Sequence, residues 1–112
     1  MRLFLRLFAD CKDAEIASTI SQLLCSALSP LASKVFSSPK QYWKIPTQFE
    51  FTFTFTPPTE DAFQKLISLA SLGWHLSDTD SEPCAVWNRT NGSVFLIPEV
   101  SWANIELHAT AS

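Results

Sequence analysis

The spacing best suited to metal binding belongs to three acidic residues at alternate positions, Asp78, Asp80 and Glu82. This spacing matches the start of a calcium-binding loop, in which carboxylate oxygens ligate the ion. Such a loop also needs a glycine at its sixth position and a glutamate at its twelfth, and these positions hold Pro83 and Arg89. The pattern therefore predicts an acidic surface loop and no metal site.

Residue types that support catalysis are few and widely spaced. His75 and His108 fall in separate predicted strands, whereas a general base needs a partner within hydrogen-bonding reach. Two glycines are too few for a phosphate-binding loop, and three cysteines without a Cys-x-x-Cys pair do not fit a zinc site. We predict that the protein is not an enzyme and needs no cofactor. An enzyme that pairs Cys84 with His75 is the remaining catalytic alternative.

Aromatic residues are abundant, with four Trp and nine Phe. We expect some of these rings to reach the surface, where tryptophan dominates the hot spots of protein interfaces. Two tryptophans of the C-terminal strands follow the acidic cluster in sequence. The predicted partner-binding residues are therefore Asp78, Asp80, Glu82, Trp87 and Trp102.

The formal net charge of −3 is unevenly distributed along the chain. Residues 1–56 contain six Lys or Arg and four Asp or Glu, a net charge of +2, whereas residues 57–112 contain two and seven, a net charge of −5. An acidic chain is a poor match for phosphate groups, so we predict no nucleic-acid partner. The acidic half is either a solvated face or a surface that steers a basic protein partner.

The N-terminal residues and the cysteines indicate the compartment. Residues 1–8 are apolar, but Arg6 interrupts them and no small-residue cleavage site follows, so we predict neither a signal peptide nor a membrane span. Three widely spaced cysteines are typical of free thiols in a reducing compartment. We expect a cytoplasmic protein that does not contact a membrane.

The first half of the chain predicts two strands and one helix. Leu3, Leu5 and Leu7 alternate with Arg and Phe, which is the period of a strand with one buried face. Asp10 is the expected N-cap of a helix that ends around Ser29-Pro30. Residues 31–41 are rich in Ser and Pro and predict a loop, and residues 42–45 could begin a strand. A second strand places four rings on one face: Phe49, Phe51, Phe53 and Phe55.

The second half predicts a helix and several strands. Thr59 is the expected N-cap, and Gly73 is the expected C′ glycine, of the second helix. Residues 74–76, 84–89, 93–97 and 100–108 predict strands, with an acidic loop over residues 77–83 and a hairpin turn at Asn91-Gly92. This order predicts a single α+β domain over residues 1–112, with one mixed or antiparallel sheet and both helices on one face. The preferred architecture is a ferredoxin-like sandwich with an extra C-terminal hairpin.

The C-terminal third resembles bacterial immunity proteins, which accompany contact-dependent and other polymorphic toxins. The resemblance lies in Trp87-Asn88-Arg89, Val94-Phe95, Glu99-Val100 and Trp102-Ala103-Asn104-Ile105-Glu106-Leu107. It implies a cytoplasmic, non-catalytic inhibitor that binds one toxin domain, often a nuclease, and blocks its active site. The alternative is a small-molecule-binding or regulatory ferredoxin-like domain that acts as a dimer.

Overall fold

The computed structural model describes residues 2–31, 33–70, 73–79, 82–89 and 93–108. This part of the chain contains six strands and two α-helices, and a short 3₁₀ helix (Ser29–Leu31) follows the first α-helix. In chain order the elements are β1 (Arg2–Asp10), α1 (Ala14–Leu28), β2 (Ser33–Gln41), β3 (Gln48–Phe55), α2 (Glu60–Ile67), β4 (Trp74–Thr79), β5 (Glu82–Asn88) and β6 (Val100–His108). Neither α-helix is long and apolar enough to cross a membrane within these described ranges.

All six strands belong to one antiparallel sheet with the order β2-β3-β1-β6-β5-β4. The predicted α+β fold with a single sheet is therefore confirmed, and the sheet is antiparallel throughout. The first three strands of the chain form one half of the sheet, and the last three form the other half. The opposite net charges of the two halves of the sequence are consequently separated across the sheet in space.

One face of the sheet forms the core, as the alternating leucines and phenylalanines predict. Leu5 pairs with Phe53 on β3 and with Ile105 on β6, and all three side chains are buried. Residues that are paired across neighbouring strands project to the same face, so this register aligns the apolar rows of β1, β3 and β6. The buried residues of α1 and α2, including Leu24 and Phe63, belong to the same apolar cluster. Both helices therefore cover this face.

The helix termini differ in part from the sequence predictions. Asp13, and not Asp10, caps α1: its carboxylate accepts a hydrogen bond of 2.9 Å from the backbone N–H of Ile16. Asp10 is wrong as a cap because β1 continues through it. Thr59 caps α2 as predicted. Gly73 is not the C′ residue, because α2 already ends at Ile67 and Ser68 is its C-cap.

The predicted loop over residues 31–41 is wrong, because residues 33–41 form strand β2 at the sheet edge. An edge strand tolerates Pro39, which needs no ladder partner on its outer side. Two register shifts between β2 and β3 accommodate the irregular sequence. Residues 42–47 form the connecting turn and not the start of a strand; the N–H of Tyr42 donates to the carbonyl of Gln48.

Two C-terminal predictions also need correction. Most of the predicted acidic loop over residues 77–83 is strand, since β4 and β5 pair up to Thr79 and Glu82. The predicted strand over residues 93–97 is wrong: this segment forms only an isolated bridge between Phe95 and Ile97. Its conformation is set by burial of Phe95, which has no exposed area. The Asn91-Gly92 turn lies outside the described residues.

Candidate functional site

The second face of the sheet is not covered by either helix, and we call it the open face. On β1 it is formed by Arg2, Phe4, Arg6 and Phe8, which alternate with the buried leucines. Because paired positions share a face, the open face also includes their register partners on β3 and β6. These are Thr54, Thr52 and Glu50 on β3, and His108, Glu106, Asn104 and Trp102 on β6. Lys34 and Lys40 on β2 pair in turn with Thr54 and Glu50.

One aromatic group of the open face lies at the beginning of β1. The rings of Phe4 and Phe36 meet edge to face, with centroids 5.2 Å apart. The guanidinium carbon of Arg2 lies 4.8 Å from the centroid of Phe36, which is within cation–π range. Phe36 keeps 54% of its surface exposed. This group presents ring surface and positive charge together.

A second aromatic group lies at the end of β1. The ring of Phe8 is 4.6 Å from that of Tyr42 and 5.2 Å from that of Trp102, centroid to centroid. A shallow depression of about 410 Å³ opens between these rings. We call it the aromatic pocket; its lining residues are Arg6, Phe8, Tyr42, Ile45, Gln48 and Trp102.

The loop between β2 and β3 raises one rim of the aromatic pocket. Trp43 is 79% exposed and Ile45 is 45% exposed. The ammonium group of Lys44 lies 5.2 Å from the ring centroid of Trp43. Large apolar side chains that remain exposed beside a concave site are typical of protein contact surfaces.

Two arginines beside the aromatic pocket are already paired with carboxylates. Arg6 Nε donates to Glu50 Oε2 at 2.7 Å, and Arg89 Nη1 donates to Asp10 Oδ2 at 2.9 Å. The amide of Gln48 donates to Asp10 Oδ1 at 3.2 Å and to Ser101 Oγ at 2.8 Å. The charges of these two arginines are therefore balanced locally, whereas Lys44 on the rim contacts the ring of Trp43.

The structure separates the two predicted tryptophans. Trp102 lies on the open face and lines the aromatic pocket. Trp87 has no exposed area; its indole N–H donates to Ser93 Oγ at 3.3 Å and its ring packs against Phe95. A side chain without exposed area cannot contact a partner in this conformation. Trp87 therefore belongs to the core and not to a contact surface.

The three predicted acidic residues lie in or beside the β4–β5 connection. The backbone of Asp78 is in β4 and that of Glu82 is in β5, whereas Asp80 lies outside the described residues. Trp102 pairs with Asn88, at the opposite end of β5 from Glu82. At about 3.3 Å per residue, some 20 Å of strand separate the two positions. The fold does not bring Trp102 and the acidic segment together, and the contact role of the acids stays a prediction.

Sequence reasoning missed most of the aromatic pocket, including Phe8, Tyr42 and Ile45. One signal was present: β1 carries apolar side chains on both faces, because Phe4 and Phe8 alternate with the leucines. A strand of this kind has an apolar second face as well as a core face. Tyr42 and Ile45 had no such signal, since a loop brings them to the pocket.

Cys11 and Cys84 each take part in a local hydrogen bond, and His108 is hydrogen-bonded to Glu106. Cys11 is buried and hydrogen-bonds to the Asp13 carbonyl at 3.1 Å; burial raises the pKa of its thiol and so lowers its reactivity. Cys84 Sγ accepts from the Asn104 amide at 3.3 Å, and His75 is exposed. Across the described ranges, no three His, Cys, Asp or Glu residues are grouped so that they could hold a metal ion.

Comparisons with known proteins find no match: no family model, no curated protein and no solved structure is similar to the chain. The chemistry of the open face is therefore the basis for a functional inference. It offers aromatic rings and guanidinium groups, the types that are enriched at protein interfaces and at their hot spots.

Proposed function

We propose that this chain is a non-catalytic protein that binds and neutralises a toxin domain, and that the open face is part of its contact surface. The resemblance of the C-terminal third to immunity proteins suggests the toxin. The observation that carries the binding role is the uncovered sheet face with its two aromatic groups. Partly exposed rings such as Phe36 keep apolar surface in contact with water, and a partner that covers them removes this surface from water.

A protein is a better match for this face than a nucleic acid. The open face carries both signs of charge: Glu50 and Glu106 lie among arginines and lysines, and Arg6 is already paired with Glu50. Phosphate recognition needs cations that can replace counterions, and the chain as a whole has a net charge of −3. A protein surface can satisfy both signs of charge and cover the rings.

The acidic half of the chain supplies the proposed blocking group. Strands β4–β6 form the other half of the sheet from the more basic strands β1–β3. The acidic segment with Asp78, Asp80 and Glu82 would enter the site where a basic toxin, such as a nuclease, binds phosphate. The aromatic groups of the open face would hold the toxin in place.

We further infer that the fold is a ferredoxin-like variant and that the protein acts in the cytoplasm. Four adjacent strands, β2-β3-β1-β6, support the fold assignment: α1 joins two parallel strands that flank β3. In this assignment the extra hairpin is β4–β5, inserted before the last strand. Free thiols at Cys11, Cys25 and Cys84 support a reducing compartment.

Capture of a partner followed by an inhibition assay tests the proposal. Tagged full-length chain is incubated with lysate of its native organism at low and moderate salt, and the captured protein is purified and assayed for toxic or nuclease activity. We expect one stoichiometric partner whose activity stops at an equimolar ratio of chain to partner. A captured protein whose activity is unaffected by the chain would contradict the proposal, as would the absence of any partner.

Two matched variants test whether the open face is the contact surface. Thr54→Arg introduces a long cation on the open face, and Leu23→Arg introduces the same group on α1, on the other side of the sheet. We expect Thr54→Arg to weaken capture and Leu23→Arg to leave it unchanged. If light scattering shows a dimer that Thr54→Arg dissociates, the open face joins two copies of this chain, as the alternative of a dimeric regulatory domain requires.

A further inference from the structure

We propose that the aromatic pocket receives one uncharged aromatic side chain of the protein partner, which serves as the anchor of the complex. This inference rests on the proposed function and specifies the chemistry of the partner. It assigns roles to Phe8 as the floor of the pocket, to Tyr42 and Trp102 as its walls, and to Ile45 as its rim.

The pocket is large enough to hold an aromatic side chain of a partner. Its volume of about 410 Å³ is close to the lower limit for sites that hold small ligands, roughly 300–1,000 Å³. Only 8% of the surface of Phe8 is exposed, so this ring forms the bottom of the depression, while Tyr42 and Trp102 are only partly buried. A partner residue that enters from the open face would therefore contact three rings at once.

Ring geometry favours an aromatic occupant. The planes of Phe8 and Tyr42 are tilted by 30°, and those of Phe8 and Trp102 by 38°. Tyr42 and Trp102 flank Phe8 and are only partly buried, and aromatic pairs prefer offset or edge-to-face contacts at centroid distances of about 4.5–7 Å. A fourth ring can adopt such contacts with Tyr42 and Trp102 together.

The contacts of Arg6 disfavour the two ionic alternatives. A partner Lys or Arg would seek the ring faces, but the guanidinium carbon of Arg6 already lies 5.4 Å from the centroid of Phe8 and would repel a second cation. A partner carboxylate would seek Arg6, but Glu50 already accepts from Arg6 at 2.7 Å. Desolvating an unpaired charge in this pocket would be unfavourable, whereas an uncharged ring leaves the Arg6–Glu50 ion pair and the contact of Arg6 with Phe8 intact.

The decisive measurement is the dissociation constant of the purified partner with four forms of the full-length chain: wild type, Trp102→Ala, Ile45→Glu and Leu23→Ala. Truncation of a tryptophan that packs on a central anchor weakens binding by about 30-fold or more. We expect losses of this size for Trp102→Ala and for Ile45→Glu, which places a charge on the rim. Leu23→Ala truncates an exposed apolar side chain of α1, away from the open face, and we expect no change in affinity. Ile45 lies in an exposed loop, so this variant keeps the test valid if Trp102→Ala fails to fold.

A titration with small probes defines the class of occupant. N-acetyl-tyrosinamide and N-acetyl-lysinamide are added to ¹⁵N-labelled protein, and the indole N–H signal of Trp102 is followed by NMR. We expect the aromatic probe to shift this signal and the cationic probe to leave it unchanged. An equal or larger response to the lysine probe would overturn the proposal, because the pocket would then be a cation site.

The outcomes separate this inference from the proposed function. If Trp102→Ala and Ile45→Glu bind the partner within threefold of wild type and still neutralise it, the pocket is not the anchor, although the chain is an inhibitor. If the captured partner depends on Trp102 but has no toxic activity, the anchor stands and the toxin-neutralising role fails.

Discussion

Substitution of Gly73 by alanine should be among the most damaging single-methyl changes in this chain. Gly73 has a φ of +101°, in the region that L-residues other than glycine rarely adopt. A Cβ atom there would lie 2.7 Å from the backbone oxygen of Asn88 and 2.7 Å from Nε1 of Trp87. Neither neighbour can move freely, because the oxygen belongs to β5 and the indole is fully buried.

The expected loss of stability follows from these two causes. A non-glycine residue at positive φ costs about 1–2 kcal/mol, and forcing an extra methyl group into a packed site costs about 1–3 kcal/mol. Together they predict a decrease of about 2–5 kcal/mol in the free energy of unfolding. For a domain of this size, that corresponds to a decrease in Tm of about 8–20 °C.

Urea unfolding followed by tryptophan fluorescence measures this change, and an unchanged m-value shows that the transition stays comparable. Leu76→Ala is the control, because Leu76 is 66% exposed and its truncation should change the stability by less than about 0.5 kcal/mol. The double variant Gly73→Ala/Trp87→Phe should lose less stability than the sum of its single changes, since phenylalanine removes the indole nitrogen from the contact. A loss below about 0.5 kcal/mol for Gly73→Ala would refute both the strain and the contact.

Three further predictions concern the core, a thiol and the acidic segment. Trp87→Ala should lower the free energy of unfolding by about 3–5 kcal/mol in the same urea assay, because it empties a fully buried site. Native Cys11 should react with iodoacetamide more slowly than Cys25, as peptide mapping would show. Burial raises the pKa of the Cys11 thiol in the folded protein, so the contribution of this thiol to stability is present below its ordinary pKa and is lost as the pH rises through the raised pKa. The free energies of unfolding of wild type and Cys11→Ala, measured in urea between pH 7 and about 10, should therefore converge as the pH rises. Replacement of Asp78, Asp80 and Glu82 by lysine should weaken partner binding and reduce its salt dependence. An unchanged affinity would show that these residues are not part of the contact.

The strongest periodic patterns in the sequence were sufficient to predict the core of the fold. The leucines of β1 and the phenylalanines of β3 alternate without interruption, and this spacing requires one buried face whatever the neighbours are. Thr59 identified the start of α2 for a similarly local reason, because a cap bonds to a backbone N–H only three residues away.

Elements without a local signal depended on their neighbours. Strand β2 contains three serines and a proline, and it becomes extended because it pairs with β3, not because these residues favour strands. The segment around Phe95 shows the opposite case, since burial of its ring replaces the strand that the pattern predicted. A short stretch of sequence does not show which distant segments it will pair with or be buried against.

The candidate site divides in the same way. The amino-acid sequence determined which residue types were present for binding: an excess of aromatic rings, an acidic second half and very few groups suited to catalysis. It could not determine which tryptophan was accessible, because Trp87 lies in a strand with apolar residues on both faces. Only the tertiary packing, with Phe95 and Ser93 against the indole, buried Trp87 and left Trp102 on the open face beside Phe8 and Tyr42. Periodicity specifies that a strand has two faces, whereas tertiary contacts decide which of them is covered.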